Sequence, residues 1–229
     1  MTVRSRRGHL VAVPRIYHGL GNRIRLVLSA QHYAADIDRQ FSYVWPTGRA
    51  FGARLNELWE FDAPQTSLLR SRMWAATHPY RDATLAWAAG AAADDIWQIR
   101  SSQPLDVPGD RQAWQRALRE LRPVPAVAQR VTQVFDEHLR GQPYVGVMAR
   151  THAISHEITL RDSPLQWYLD RMSEVRRELP STTFYVCADT LETERALVSA
   201  FPGSVALGDK GPYNSKQALQ ASVVDLYLL

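Results

Sequence analysis

The first 46 residues constrain the fold more than any other stretch of this chain. His9 to Ile16 carry Val and Leu at strand density and run into His18-Gly19-Leu20-Gly21-Asn22, a turn signal. From Asn22 to about Ile37 the apolar positions Ile24, Leu26, Val27, Leu28, Ala30, Tyr33, Ala34 and Ile37 fit a well-buried helix. Phe41 to Trp45 then reads as a short strand closed by Pro46. Strand, glycine turn, helix and strand in such close succession form a βαβ unit, whose two strands lie parallel in one sheet.

A second pattern of the same kind opens at Tyr144. Tyr144 to Ala149 reads as a buried strand, and Leu165 to Leu179 as an amphipathic helix introduced by Ser163 as N-cap with Pro164 at the first helical position. Thr182 to Ala188 is the next strand, Leu191 to Ser199 a helix, Ser204 to Leu207 a short strand and Gln217 to Leu229 a final helix. Between the two patterns the signals are weaker. Phe51 to Phe61 reads as a short helix with aromatics. The Ala-rich stretch Thr84 to Trp97 fits either a helix or a connection around short strands. Arg111 to Leu121 and Val124 to Leu139 have helical spacing, separated by Pro123 and Pro125. The expected architecture is α/β with two Rossmann-like lobes, residues 1–140 and 141–229, the second one short.

Composition excludes several classes. A hydrophobic fraction of 45% with 22% charged residues in 229 positions excludes a disordered chain, a collagen-like fibre and a disulfide mini-protein. No window reaches the ~18 uninterrupted apolar residues of a membrane-spanning helix. The basic start MTVRSRRGHL lacks the apolar core of a signal peptide, so a cytoplasmic protein is expected. Of 27 basic residues only Lys210 and Lys216 are lysines. The arginines are interleaved with acids rather than gathered in a stripe, so nucleic acid is not an expected partner. Cys187, the sole cysteine, sits in the apolar run Phe184 to Ala188 and excludes an internal disulfide and a cysteine-rich zinc site.

The turn His18-Gly19-Leu20-Gly21-Asn22-Arg23 follows a strand and opens a helix, where backbone N–H groups and the helix dipole favour an anion. A dinucleotide fingerprint would require a third glycine at position 24, where Ile24 stands, and no lysine–hydroxyl pair makes the turn a P-loop. On chemistry alone two readings stay open: a turn approached by phosphate, or glycines serving tight strand-to-helix packing.

At this point the sequence resembles a family. Gly19-Leu20-Gly21-Asn22-Arg23 with its helix and the strand ending Val44-Trp45-Pro46 look like the opening of fucosyltransferases that use GDP-fucose, the nodulation-factor and core α-1,6-fucosyltransferases among them. Arg49 to Phe61 resembles an aromatic Leu-Trp-Glu stretch of bacterial members. Tyr144-Val-Gly-Val-Met-Ala-Arg150 is similar to the family strand Val-Gly-Val-His-Val-Arg, and Phe184 to Asp189 to its strand ending Ser-Asp. The resemblance implies a GT-B architecture, two lobes facing a cleft, and an inverting glycosyltransferase that needs no metal or other cofactor. The donor would be GDP-fucose and the acceptor a glycan or other hydroxyl compound.

It also implies roles for residues. Arg150 would stabilise the departing diphosphate, Gly19, Gly21, Asn22 and Arg23 would approach the donor, and Asp189 would bind its nucleoside portion or, alternatively, cap the following helix. Where the family has His, this chain has Met148; His152 and His156 follow and could compensate, His152 as a catalytic residue, and with Glu157 and Asp162 they are the available general bases, among which the sequence does not choose. Family members continue past a helix like Gln217 to Leu229 into a strand and a serine-rich loop, so the resemblance implies either a truncated sequence or a donor site completed otherwise. The competing expectations are an inactive nucleotide-sugar-binding relative and a non-enzymatic α/β interaction protein.

Overall fold

The structure, a computed structural model, describes residues 8–151, 161–208 and 210–229. Two compact units divide it: Met1–Val124 with Asn214–Leu219, and Pro125–Tyr213 with Gln220–Leu229. The division falls at Val124, ahead of the expected boundary near Arg140.

The first unit is built on a four-stranded parallel sheet. Its strands β1 (His9–Ala12), β2 (Gln40–Tyr43), β3 (Tyr80–Arg81) and β4 (Ile96–Ile99) lie in the order β2-β1-β4-β3. Central β1 pairs on both sides, His9 opposite Gln40 and Ile96, Ala12 opposite Tyr43 and Ile99. A strand covered on both faces and both edges must be apolar throughout, and Leu10, Val11 and Ala12 are fully buried. Helix α1 (Leu20–Asp36) follows the glycine turn, as the sequence predicts, and buries Ile24, Leu26, Val27, Leu28, Ala30 and Ala34. Two short helices complete the unit, α2 (Leu68–Trp74), begun by Ser67 whose hydroxyl accepts the Arg70 N–H, and α3 (Ala113–Glu120).

The middle segment differs from expectation. Phe51 to Phe61 holds only one tight turn, Leu55–Glu57, because its aromatics pack edge-to-face in pairs, Phe51 on Trp45 and Phe61 on Tyr43, instead of along one helical face. The Ala-rich stretch is a series of turns that delivers β4 into the sheet.

The second unit contains α4 (Pro125–Val134), which passes into a wider π-type turn at Phe135–Leu139 instead of running on as one regular helix. The parallel pair β5 (Tyr144–Ala149) and β6 (Thr183–Ala188) follows, in register from Tyr144 opposite Thr183 to Ala149 opposite Ala188. The expected strand Ser204 to Leu207 reduces to one bridge, Val205 to Tyr185. Helices α5 (Leu165–Glu178) and α6 (Leu191–Ala200) cover one face, with Tyr168, Met172, Phe184, Val186, Leu197 and Phe201 in the core between them and the strands. Pro164, not Ser163, occupies the N-cap position of α5, and no side chain caps it. The last helix, α7 (Lys216–Leu228), contributes its residues through Leu219 to the first unit and the remainder to the second. Among the described residues no helix is long and apolar enough to cross a membrane.

Candidate active site

The glycine turn ends β1 and starts α1. Gly19 stands at the N-cap with ordinary extended backbone (φ −70°, ψ 171°), contributes no side-chain cap, and no acid lies in the first turn. Among the described residues, the leading N–H groups of this 17-residue helix thus have neither a capping side chain at the N-cap nor an acid in the first turn at its positive end. A Cβ added at Gly19 or Gly21 would meet nothing within 4 Å, whereas one at Gly146 would strike Leu229 O at 2.8 Å. Among the described residues, therefore, neither contact with a Cβ nor a positive φ requires glycine at 19 or 21, which weighs against the packing explanation left open by the sequence. The space beside both glycines at the helix N-terminus is open among the described residues.

Asn22 lies at the same end, its Oδ1 accepting from the Arg25 guanidinium, which also donates to Ser102 O at 3.1 Å. Arg23 is placed otherwise than a donor contact requires. It is completely buried, and Nε, Nη1 and Nη2 donate to His18 O (2.7 Å), Pro46 O (2.6 Å) and Ile16 O (2.8 Å). Its guanidinium lies 3.9 Å from the centre of the Phe51 ring. Burial lowers its pKa to about 10, which leaves it cationic at neutral pH. Arg23 thus ties the loop after β1 to the loop after β2 and holds the turn in shape, spending its donors on carbonyls. Within the turn His18 is buried, its Nδ1 accepting the Arg15 N–H, and burial together with Arg15, Arg23 and Arg25 lowers its pKa.

In the second unit the two candidate residues stand at adjacent strand ends. Arg150 follows β5 directly and is exposed; Asp189 follows β6, and its N–H donates to Ala149 O at 3.3 Å. Asp189 Oδ1 accepts the Thr151 N–H at 2.8 Å, and Thr151 Oγ1 lies 2.5 Å from Thr193 Oγ1. The N-cap of α6 is Thr190, whose hydroxyl accepts the Thr193 N–H, so the helix-cap alternative for Asp189 does not hold. Asp189 instead pins the residue after Arg150, fixing the direction in which the chain leaves β5. Met148 is 52% exposed on β5. His152, His156 and Glu157 lie outside the described residues; Asp162 is exposed.

Behind β6 sits a buried charged cluster that the sequence reading missed. Lys210 Nζ donates to Glu194 at 2.7 Å and Asp225 at 3.0 Å, and Tyr185 OH donates to Asp225 at 2.7 Å. Burial opposes the Lys210 charge, but the two carboxylates outweigh it and raise the lysine pKa. Burial above all, with Asp225 adding to it, pushes the Cys187 thiol up to about 12. The available signal was that Lys210 is one of only two lysines in an arginine-rich chain. Along α6, a cavity of about 610 Å³ is lined by Leu191, Glu194, Arg195, Val198 and Ser204, with His138 at its side.

No protein-family model matches the chain, and no curated protein does. Solved structures do. The fucosyltransferase NodZ from Bradyrhizobium aligns over 96% of this chain and 85% of its own, with TM-score 0.62 and 15% identity. The fucosyltransferase FUT1 of Arabidopsis thaliana, solved with GDP, aligns over 96% of this chain and 63% of its own (TM-score 0.61, 12% identity). POFUT1 in complex with GDP aligns over 97% and 95% (TM-score 0.56, 11% identity). The chain has the mixed α/β, parallel-sheet fold of the GT-B fucosyltransferases.

Proposed function

We propose that the protein is a glycosyltransferase that moves fucose from GDP-fucose to an acceptor hydroxyl with inversion and without a metal ion. The observation that carries this reading is the open N-terminus of α1, approached over two glycines that the fold itself does not need, in a chain with the fucosyltransferase fold. NodZ has been solved soaked with GDP-fucose, and other structures of this fold hold GDP.

In the proposed reaction the acceptor oxygen attacks the anomeric carbon, its proton passes to a base, and the bond from that carbon to the diphosphate oxygen breaks to release GDP. Arg150, exposed immediately after the half-buried strand β5, carries the charge that develops on the leaving diphosphate. Asp189 acts as a positioning residue through Thr151. The N–H groups of the glycine turn, with Asn22, serve the donor's phosphate or sugar. His152 is the proposed base, with His156, Glu157 and Asp162 as the other candidates; each is of the right chemical type for proton removal. A second reading, a nucleotide-sugar-binding relative without turnover, is favoured by Met148 standing exposed where the resembled strand has His.

Calorimetric titration of the full chain with GDP, against UDP and NADH, tests both readings. GDP alone should bind, and Arg150→Ala should weaken it by about 1.5–3 kcal/mol, the value of a charge-assisted hydrogen bond. Release of GDP from GDP-fucose that persists in EDTA supports the transferase; GDP binding without turnover supports the second reading. No binding of any nucleotide overturns both.

A further inference from the structure

Three arginines converge at the carboxyl end of the first unit's sheet. The ends of β1, β2 and β4 together with α2 enclose a cavity of about 410 Å³, within the ~300–1,000 Å³ range of small-molecule sites, lined by Arg15, Tyr17, Pro46, Arg72, Tyr80 and Arg100 among others. Among the described residues none of Arg15, Arg72 and Arg100 forms a salt bridge.

The cavity is built rather than incidental. The Arg100 guanidinium lies 3.1 Å from the centre of the Tyr80 ring. Tyr80 OH sits 3.2 Å from Ser71 Oγ, Ser71 donates to Gln98 Oε1 at 2.7 Å, and Gln98 Nε2 donates to His78 O at 2.9 Å. Ser71 and Gln98 are fully buried, so a polar chain anchored in the core fixes the ring and, through it, the guanidinium. Arg100 Nε is buried with no hydrogen-bond partner among the described residues. Arg15 Nη1 donates to Tyr17 OH at 2.5 Å, and the Tyr17 ring is 66% exposed at the rim. Burial lowers the Arg100 pKa; the Tyr80 hydroxyl opposes this in part, and repulsion from Arg15 and Arg72 adds to the lowering. Like charges held together are unfavourable until an anion enters, and guanidinium forks match the geometry of carboxylate, sulfate and phosphate.

We propose that this cavity receives an oxyanion group (carboxylate, sulfate or phosphate) carried by a sugar of the acceptor, whose ring lies on Tyr17. The acceptor role rests on the transferase reading above; the anion site itself rests only on the arginines and the cavity.

Calorimetric titration of the full chain with glucuronate, glucose 6-sulfate, glucose 6-phosphate, inorganic phosphate and glucose tests it, with GDP as a parallel titrant. The acidic sugars should bind and glucose should not. Arg72→Gln and Arg100→Gln should each weaken them about tenfold or more, and GDP binding to Arg72→Gln should stay unchanged. Arg72 is exposed on α2, so its variant keeps the test decisive if Arg100→Gln fails to fold. Equal weak binding of glucuronate and glucose, or indifference to Arg72→Gln, overturns the site. Inorganic phosphate binding as tightly as glucose 6-phosphate overturns the sugar assignment, and loss of GDP binding in Arg72→Gln overturns the acceptor role by giving the arginines to the donor. Glucuronate binding to a chain that ignores GDP upholds the anion site and removes the transferase reading.

Discussion

Arg23 and Arg150 both lie in the segment that follows a parallel strand, Arg23 in the first turn of the helix after β1 and Arg150 immediately after β5, and the fold puts them to opposite uses. Arg23 is fully enclosed, with three carbonyl oxygens as acceptors and an aromatic ring against its face. Arg150 stands exposed. In the first unit the loops at the strand ends need an internal strut, because the backbone carbonyls of Ile16, His18 and Pro46 turn inward with no strand partner, and a planar guanidinium satisfies all three at once. In the second unit the corresponding work falls to Asp189 and Thr151, which leaves the arginine at the strand end for solvent or ligand. The type of residue at a strand end therefore does not announce its role; the number of inward carbonyls around it does.

The largest expected effect breaks that contrast directly. Arg23→Ala removes three hydrogen bonds, leaves one buried and two partly buried carbonyls without their donor and opens a void beside Phe51, so it should cost about 3–5 kcal/mol in urea unfolding. Arg23→Lys should recover only part, since one ammonium cannot span all three carbonyls in their fixed directions. A loss under 1 kcal/mol in Arg23→Ala would mean that the loops hold themselves.

The second unit has its own buried cation in Lys210, and the comparison sharpens there. Arg23 meets neutral carbonyls, whereas Lys210 meets two carboxylates, so deleting the lysine leaves like charges together. Lys210→Met should cost about 2–3 kcal/mol, below the fully buried case because 17% of the side chain remains exposed. Cys187 labelling by iodoacetamide along a urea series reads this unit alone, as it is the chain's single cysteine and lies buried on β6. A labelling midpoint unmoved by Lys210→Met would show that the cluster adds no net stability.

How much of this was legible beforehand follows from pattern length. β1, α1 and β2, then β5, α5, β6 and α6, stand out because the strands lie in short runs rich in apolar residues, whether buried almost throughout as in β1 and β6 or only in part as in β2 and β5, and the helices carry one apolar side for several turns. β4 stayed hidden: Gln98 in its middle looks like a surface residue, yet it is buried because Ser71 and His78 O satisfy its amide. α2 was missed because it is seven residues long and leaves Leu69 and Met73 exposed, which blurs its periodicity. The glycine turn was readable as a strand-to-helix turn, and the grouping of Arg150 with Asp189 followed from their strands. That Arg23 is a strut was not readable, because its three acceptors are main-chain atoms that any sequence supplies. Lys210, Glu194 and Asp225 are brought together only by tertiary contact across 31 positions of chain from Glu194 to Asp225.

Opposite pH sensitivities of the units give a smaller effect. In the first unit burial lowers the pKa of His9 and His18, helped by Arg70 at His9 and by Arg15, Arg23 and Arg25 at His18. A folded pKa below the ordinary 6.5 contributes stability above that value and loses it as the pH falls through the lowered folded one. In the second unit Cys187 is raised from 9.0 to about 12, so its contribution is complete below pH 9 and disappears between 9 and 12. At pH 10 the loss is on the order of 1 kcal/mol. Trp167 is the only tryptophan in the second unit, so tryptophan emission reports chiefly on the first. Urea series at pH 5.5, 7.5 and 10 should shift the emission midpoint mainly in acid. Cys187 labelling, done as a brief pulse after return to pH 7.5, should shift mainly in alkali. Equal shifts of both probes on the same side would end the distinction.

The smallest stability effects are the most informative about binding. Gly21 lies inside the first turn of α1 with open space where a Cβ would go, so Gly21→Ala should leave the fold intact or stabilise it by about 0.5–1 kcal/mol through reduced freedom of the unfolded chain. If the glycine exists for the approach of a ligand, the same methyl group should weaken GDP binding severalfold. Arg150→Ala should leave stability within about 0.5 kcal/mol, as for other exposed side chains, while reducing GDP binding. These two variants therefore lose affinity without losing stability, the reverse of Arg23→Ala measured by urea. Gly21→Ala binding GDP as the parent does would return the turn to a purely architectural role and leave Arg150 as the only candidate donor contact tested by substitution. The pair separates what a strand-to-helix turn offers through its backbone from what a strand end offers through a side chain.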